Sequence, residues 1–491
     1  MDEGLVAKTL AIVLYGGILL VIGALASRRM KDLRDYFAAG KRLGYWSVAF
    51  SARATGESAW LLLGLTGMGA YVGVKAFWVV IGEVLGVGLS WLWMARPFKR
   101  LTDHHDAITI PDYLEGRLAD HGQGLRRIAA AALVVFVSIF VSAQIDATGQ
   151  AFEQFLGWDY YVGAIAGFLV VLLYIASGGF LAVVWSDVFQ GALMVAGLVF
   201  LPIAAIVHAG GVAPIVAGLR AIDPNLLSPT GGEGVTLSSI ASVVGLVAIG
   251  LGFLGSPQIF ARFLALRDEA EIRRGAAVAI TWTVLADSGA VLVGLVGRHL
   301  LAGAELGPSG QAVLPQLVDA LFPPLLVGVY IAIVLAAIMS TIDSLLVVAG
   351  SAAVRDYYQK IRHPELDDRS LVRASRGATV ALAGLALALA LVVASVTEER
   401  SIFWFIIFGW SGIAATFCPT MILSLFWSRF TARGARWAMI SGFTCVPLFK
   451  FVAPRLPAIG PYFARAEELA PAFLVSLIVG VIVSLSERAS R

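Results

Sequence analysis

Cysteine, histidine and charge are all scarce in this chain. Only two cysteines occur in 491 residues, Cys418 and Cys445, and both lie in apolar stretches, which excludes a disulfide framework. The six histidines (His104, His105, His121, His208, His299 and His363) fall in or beside loops and make no metal-ligand cluster, so a membrane metalloenzyme is not indicated. No Gly-rich phosphate loop ending in Lys-Ser or Lys-Thr is present, and ATP-driven chemistry goes with it. Charged residues are 14% of the chain, against about 25% in soluble domains. The length alone would suit about three such domains, but this composition could not cover their surfaces. A net charge of +3 gives no sign of nucleic-acid binding.

What is present is apolar: 59% of residues are hydrophobic, arranged in thirteen segments near 4–27, 44–71, 74–96, 127–153, 159–177, 188–208, 236–256, 275–300, 322–352, 374–396, 401–427, 436–452 and 468–486. A spanning helix needs about 20 predominantly apolar residues, and lipid leaves the backbone no other partner than itself. The expectation is an all-α integral membrane protein of about 13 transmembrane helices. The first run, Leu5–Ala26, followed by the basic stretch Arg28–Arg42, reads as a retained span and not as a cleaved leader.

Lys and Arg alternate between loops. Arg28, Arg29, Lys31, Arg34, Lys41 and Arg42 follow span 1, and Lys99, Arg100, Arg117 and Arg126 follow span 3. Arg262, Arg267, Arg273 and Arg274 follow span 7, Arg355, Lys360, Arg362, Arg369 and Arg373 follow span 9, and Arg429, Arg433 and Arg436 follow span 11. The intervening loops hold Arg220, Arg400, Arg455 and Arg465. Cytoplasmic loops carry the positive excess, so the N-terminus is expected outside and the C-terminus, Glu487 to Arg491, in the cytoplasm. Span 2 carries the polar run Ser51–Ser58 at mid-depth and span 7 the run Gly250–Pro257. Interrupted spans at matching places in two halves point to a transporter binding site near the bilayer midplane.

Five stretches carry a resemblance: SARATGESAWLLLG (Ser51–Gly64), TIPDYLEGRL (Thr109–Leu118), GGFLAVVWSDVFQ (Gly178–Gln190), GLGFLGSPQIFARFLA (Gly250–Ala265) and LAAIMSTIDSLL (Leu335–Leu346). With them, and with thirteen spans in order, the chain resembles the sodium:solute symporter family, most of all the bacterial sodium/proline symporters. The resemblance implies a LeuT-type core of 5+5 inverted repeats, here 44–208 (spans 2–6) and 236–427 (spans 7–11). Residues 1–43 would add a first span and basic loop, and 436–491 the spans 12 and 13.

Sodium is a hard cation that takes oxygen ligands. Ala337, Ser340, Thr341 and Ser344 share one helical face by their spacing. Spacing alone is equally met by hydroxyls that bond back to carbonyls or glue helices together. The resemblance implies Na+ held by the carbonyls of Ala54, Glu57 and Ala337 and the hydroxyls of Ser340 and Thr341. It also implies a candidate second site at Asp187, Asp343 and Ser344, for which a structural ion pair or helix cap is the alternative. The implied solute site comprises Ser58, Ala59 and Trp60, Phe140 and Gln144, and Ile249, Phe253 and Pro257. The phenyl rings would face a small apolar ring while N–H groups of the broken helix take a carboxylate.

The chain departs from the proline-symporter pattern at Gly56, where an aspartate is usual, at Ile249 (tryptophan), and at Phe140 and Phe253 (tyrosines). Glu57 either restores the missing charge or pairs with Arg53 one turn earlier. Asp146 and Glu83 are further intramembrane carboxylates, which by default mark function. One charge crossing about 150 mV is worth about 3.5 kcal/mol and a tenfold gradient about 1.4. One sodium therefore supports several-thousandfold accumulation of a neutral solute.

These readings make the chain no enzyme but a sodium-coupled importer of a small solute, L-proline or a related amino acid, in a bacterial inner membrane. Its expected partners are the solute and membrane lipid, with no nucleic acid and no obligate protein partner. Symport of a monocarboxylate, pantothenate or sugar, proton coupling through Glu57 or Asp146, and a solute-sensing receptor stay open as alternatives. The chain is expected to end shortly after its last span, without an appended signalling domain.

Overall fold

The computed structural model describes residues 3–28, 38–175, 179–363, 365–397 and 400–489. Arg29, Lys31 and Arg34 of the first basic loop, Gly178 of the third motif, and Ser490 and Arg491 lie outside the described residues. Among these residues twenty α-helices follow one another: α1 (Glu3–Ser27), α2 (Tyr45–Ala59), α3 (Thr66–Val72), α4 (Phe77–Leu89), α5 (Ala95–His104), α6 (Ile110–Leu118), α7 (Gly124–Leu156), α8 (Tyr160–Ile175), α9 (Phe180–His208) and α10 (Val212–Ile222). Then come α11 (Leu237–Ala248), α12 (Pro257–Ala265), α13 (Ile272–Leu300), α14 (Val313–Leu321), α15 (Pro324–Ser351), α16 (Asp368–Val396), α17 (Ile402–Phe426), α18 (Ala432–Pro447), α19 (Gly460–Ala466) and α20 (Leu469–Ala489). Among the described residues the only extended pairing outside helices is a single parallel bridge between Leu43 and Leu266.

Among the described residues eleven helical runs are long and apolar enough to cross a membrane. One of them, Tyr45–His104, folds back at Gly73, whose φ of 67° suits glycine, and so holds two of the thirteen apolar segments. Another segment is the shorter α8. Each of the thirteen thus lies on a helix, with α9 starting eight residues before its segment. The short helices α6, α10, α14 and α19 connect them. Local chemistry sets several starts: Thr109 caps α6 by accepting from Asp112 N at 3.1 Å with Pro111 behind it, and Thr236 and Ser239 form a capping box on α11. Pro257 opens α12, where its missing N–H costs nothing.

Packing is close where glycines face each other. A Cβ on Gly250 would lie 1.9 Å from the Gly82 carbonyl oxygen, and one on Gly86 2.0 Å from that of Gly250. The backbones of α4 and the 3-10 turn Ile249–Leu254 therefore touch, as small residues allow in membranes. The scaffold presents α2 to α9, α13 and α15, and α7 to α15 and α17.

Candidate functional site

α2 breaks at Ser58, whose φ of 57° and ψ of −168° leave the helical region. A helix end strands its last four carbonyls, here those of Ala54, Thr55, Gly56 and Glu57. Three meet side-chain donors. Ser340 Oγ donates to Ala54 O at 3.0 Å, Thr341 Oγ1 to Thr55 O at 3.1 Å, and Trp60 Nε1 to Gly56 O at 3.1 Å. The two hydroxyls also lie 3.1 and 3.2 Å from the Ala337 carbonyl. Two hydroxyls and three carbonyls from α2 and α15 thus converge in a fully buried spot. Each hydroxyl keeps lone pairs beside its proton and can turn them to a cation, so this oxygen set fits a hard ion. Among the described residues neither hydroxyl has a Lys or Arg partner. Glu57 is not among their partners, and Thr55 supplies a carbonyl that spacing did not single out.

The second trio is met differently. Asp187 Oδ2 accepts from Ser51 Oγ at 2.5 Å, Thr55 Oγ1 at 3.3 Å and Arg262 Nη2 at 3.1 Å. Arg262 also donates to Ser344 Oγ, to Ser51 Oγ at 3.1 Å and to the Gln258 carbonyl at 2.7 Å, with its guanidinium 5.0 Å from the Phe180 ring. Ser344 Oγ donates to Asp343 Oδ1 at 3.3 Å. At the candidate second site the guanidinium of Arg262 lies against Asp187 and Ser344, the arrangement of the ion-pair alternative. Arg262, counted above with a loop, is fully buried in α12, and its place in the fourth motif was the one available signal.

The solute set comes together around the break. Ala59 N, freed by the turn at Ser58, donates to Gln144 Oε1 at 3.2 Å, and Gln144 Nε2 donates to Ser58 Oγ at 3.1 Å. Gln144 therefore meets the N–H where a carboxylate was expected to dock. Phe253 and Phe140 both lean on Trp410, at 5.0 and 6.4 Å between ring centres, and Trp410 Nε1 donates to Ile249 O at 2.9 Å. Trp410 stands in an aromatic-rich span and nothing in its spacing sets it apart. The glycine at 56 makes room for Phe253, whose ring would lie 2.7 Å from a Cβ there. Pro257 lines a small cavity of about 30 Å³ together with Phe180, Leu133, Val348 and Asp356. All eight solute candidates are at most 3% exposed or classed as buried.

Arg53 pairs with Glu57 on its own helix and lies 3.5 Å from Glu83, so the intrahelical pair and the α4 carboxylate share one guanidinium. Asp146 accepts from Arg400 Nε at 2.9 Å, Tyr160 OH at 2.7 Å and Gln150 Nε2 at 2.7 Å. Near the other end of α7, Arg126, placed in a loop by charge counting, donates to Asp356 Oδ1 and Asp112 Oδ1 at 2.5 Å each and to Glu115 Oε2 at 2.7 Å. About 30 Å of helix separates Arg126 from Asp146, with Phe140 and Gln144 between them. The two solute candidates on α7 thus lie between two polar networks.

The high-affinity proline transporter PutP of Bacillus subtilis is 35% identical over 474 residues, covering 96% of each chain. The sodium/proline symporter of Escherichia coli K12 is 32% identical over 488 residues, covering 98% of this chain and 93% of that one. Among solved structures, a Na+-coupled sialic acid symporter in a substrate-bound outward-open state superposes with a TM-score of 0.79 at 18% identity, over 97% of both chains. The architecture is the LeuT-type fold expected from the sequence. With the model of the sodium:solute symporter family matching residues 36–442 as well, this multi-pass membrane protein belongs to that family.

Proposed function

We propose that the chain imports L-proline or a closely related amino acid by sodium symport, with Na+ held between α2 and α15 and the solute beside the break in α2. The observation that carries this reading is the buried oxygen cluster of Ser340, Thr341 and the Ala54, Thr55 and Ala337 carbonyls. The names of the relatives favour proline, and the Phe140–Trp410–Phe253 wall suits an apolar ring of that size. An ion that bridges the end of α2 to α15 holds the break in one shape. That shape sets Ala59 N, Ser58 and Gln144, so ion and solute change each other's affinity. The setting is a bacterial inner membrane, with the N-terminus outside and the C-terminus in the cytoplasm, as the Lys and Arg alternation supports.

The test is uptake into proteoliposomes under an imposed inward sodium gradient, comparing labelled proline, acetate, pantothenate and glucose. Sodium-dependent accumulation of proline alone is the expected result. Uptake that ignores sodium and collapses with a proton uncoupler would overturn the coupling ion, and preference for another solute would overturn the substrate.

A further inference from the structure

Beside the break in α2 lies a second group that the symport reading does not use. Glu57 of α2, Glu83 of α4 and Asp287 of α13 each bring a carboxylate oxygen within 4.8 Å of the others, and all three residues are at most 1% exposed. A hard cation holds oxygens at about 2.3–2.6 Å, so atoms sharing one ion lie within roughly 5 Å of each other. This trio does.

Charge argues the same way. One guanidinium, Arg53, stands against three carboxylates, and it is engaged with Glu57 and Glu83. Its Cζ lies 4.7 Å from the Phe253 ring centre and 5.5 Å from that of Trp282, which fixes it on the aromatic side. Asp287 makes neither ion pair: among the described residues neither of its oxygens has a hydrogen-bond partner, and it is wholly buried and directed at the other two carboxylates. A buried ion left uncompensated costs several kcal/mol, and one guanidinium cannot balance more than one ionised carboxylate of the group.

The geometry points to a metal-cation site at Glu57, Glu83 and Asp287 that takes a sodium ion, distinct from the oxygen cluster between α2 and α15. Glu57 lies in the same turn as Ala54 and Thr55, whose carbonyls belong to that cluster. Filling the carboxylate site therefore steadies the backbone that the other ion uses, and each site strengthens the other.

The experiment is equilibrium binding of radiolabelled Na+ to the purified full-length protein, in solute-free potassium buffer at fixed pH. Wild type is expected to bind two ions per chain. Asp287→Asn and Glu83→Gln should each bind one, with the pair guarding against a single variant that fails to fold. A Ser340→Ala/Thr341→Ala variant should also keep one, held by the carboxylates. One ion in wild type with Asp287→Asn unchanged overturns the carboxylate site and leaves the α2–α15 cluster standing. Loss of all binding in Ser340→Ala/Thr341→Ala overturns it too. Two ions in that variant would instead sink the α2–α15 cluster. Displacement of label by trace Ca2+ overturns the choice of sodium.

Discussion

Removing the hydroxyl of Thr341 is the sharpest probe of the sodium cage. In Thr341→Ala the ion loses one of its two side-chain ligands, while the Thr55 and Ala337 carbonyls stay in place. An interaction of a hydroxyl with a charged group is worth about 1.5–3 kcal/mol. The ion-free protein also loses its hydrogen bond to Thr55 O at 3.1 Å, a neutral contact of about 1 kcal/mol. The difference, about 0.5–2 kcal/mol, predicts a rise of about 2- to 30-fold in half-saturating sodium, since about 1.4 kcal/mol is tenfold. Ser340→Ala should behave alike, and Thr341→Ser, which keeps the hydroxyl, should stay near wild type. Initial uptake rates in proteoliposomes across a sodium series measure this, with melting in sodium-free buffer reporting on folding. Unchanged sodium dependence in both alanine variants would refute the cage.

Other outcomes follow from the same packing. Arg262→Gln leaves Asp187 buried without its cation and should lower stability by about 3–5 kcal/mol, with Asp187→Asn in the same chain recovering most of it, as read by thermal melting. Gln144→Leu removes the acceptor of Ala59 N and should raise the half-saturating solute concentration about 5- to 100-fold, at about 1–3 kcal/mol for a buried donor left unmet. Gly250→Ala drives a methyl into the Gly82 carbonyl and should cost about 1–3 kcal/mol by overpacking, seen as a lower melting temperature.

The spans were legible because lipid imposes length and hydropathy, so every apolar segment finds its helix. The break in α2 was legible too, since the polar run Ser51–Ser58 cannot otherwise sit at mid-depth. Charge counting failed where an arginine is paired across the fold. Arg262 meets Asp187 on another helix, and Arg126 meets Asp356 some 230 positions away. A sliding count of Lys and Arg sees only neighbours in sequence and so assigned both to loops. The partners of Glu83 and Asp146 were hidden for the same reason, because Arg53 and Arg400 reach them through folding alone. Trp410 escaped notice among the many rings of its own segment. Thr55 escaped because a carbonyl ligand leaves no mark in the residue type.

The long α7 helix ties its two polar ends into a single lever. Arg126 is latched near one tip and Asp146 towards the other, with Phe140 and Gln144 between them on the Asp146 arm. For arms of about 15 Å, a tilt of roughly 10° swings each latch by some 2–3 Å in opposite senses, further than a hydrogen bond stretches. Unfastening one latch is then felt at the other in the same stroke, with no messenger besides the stiffness of the rod.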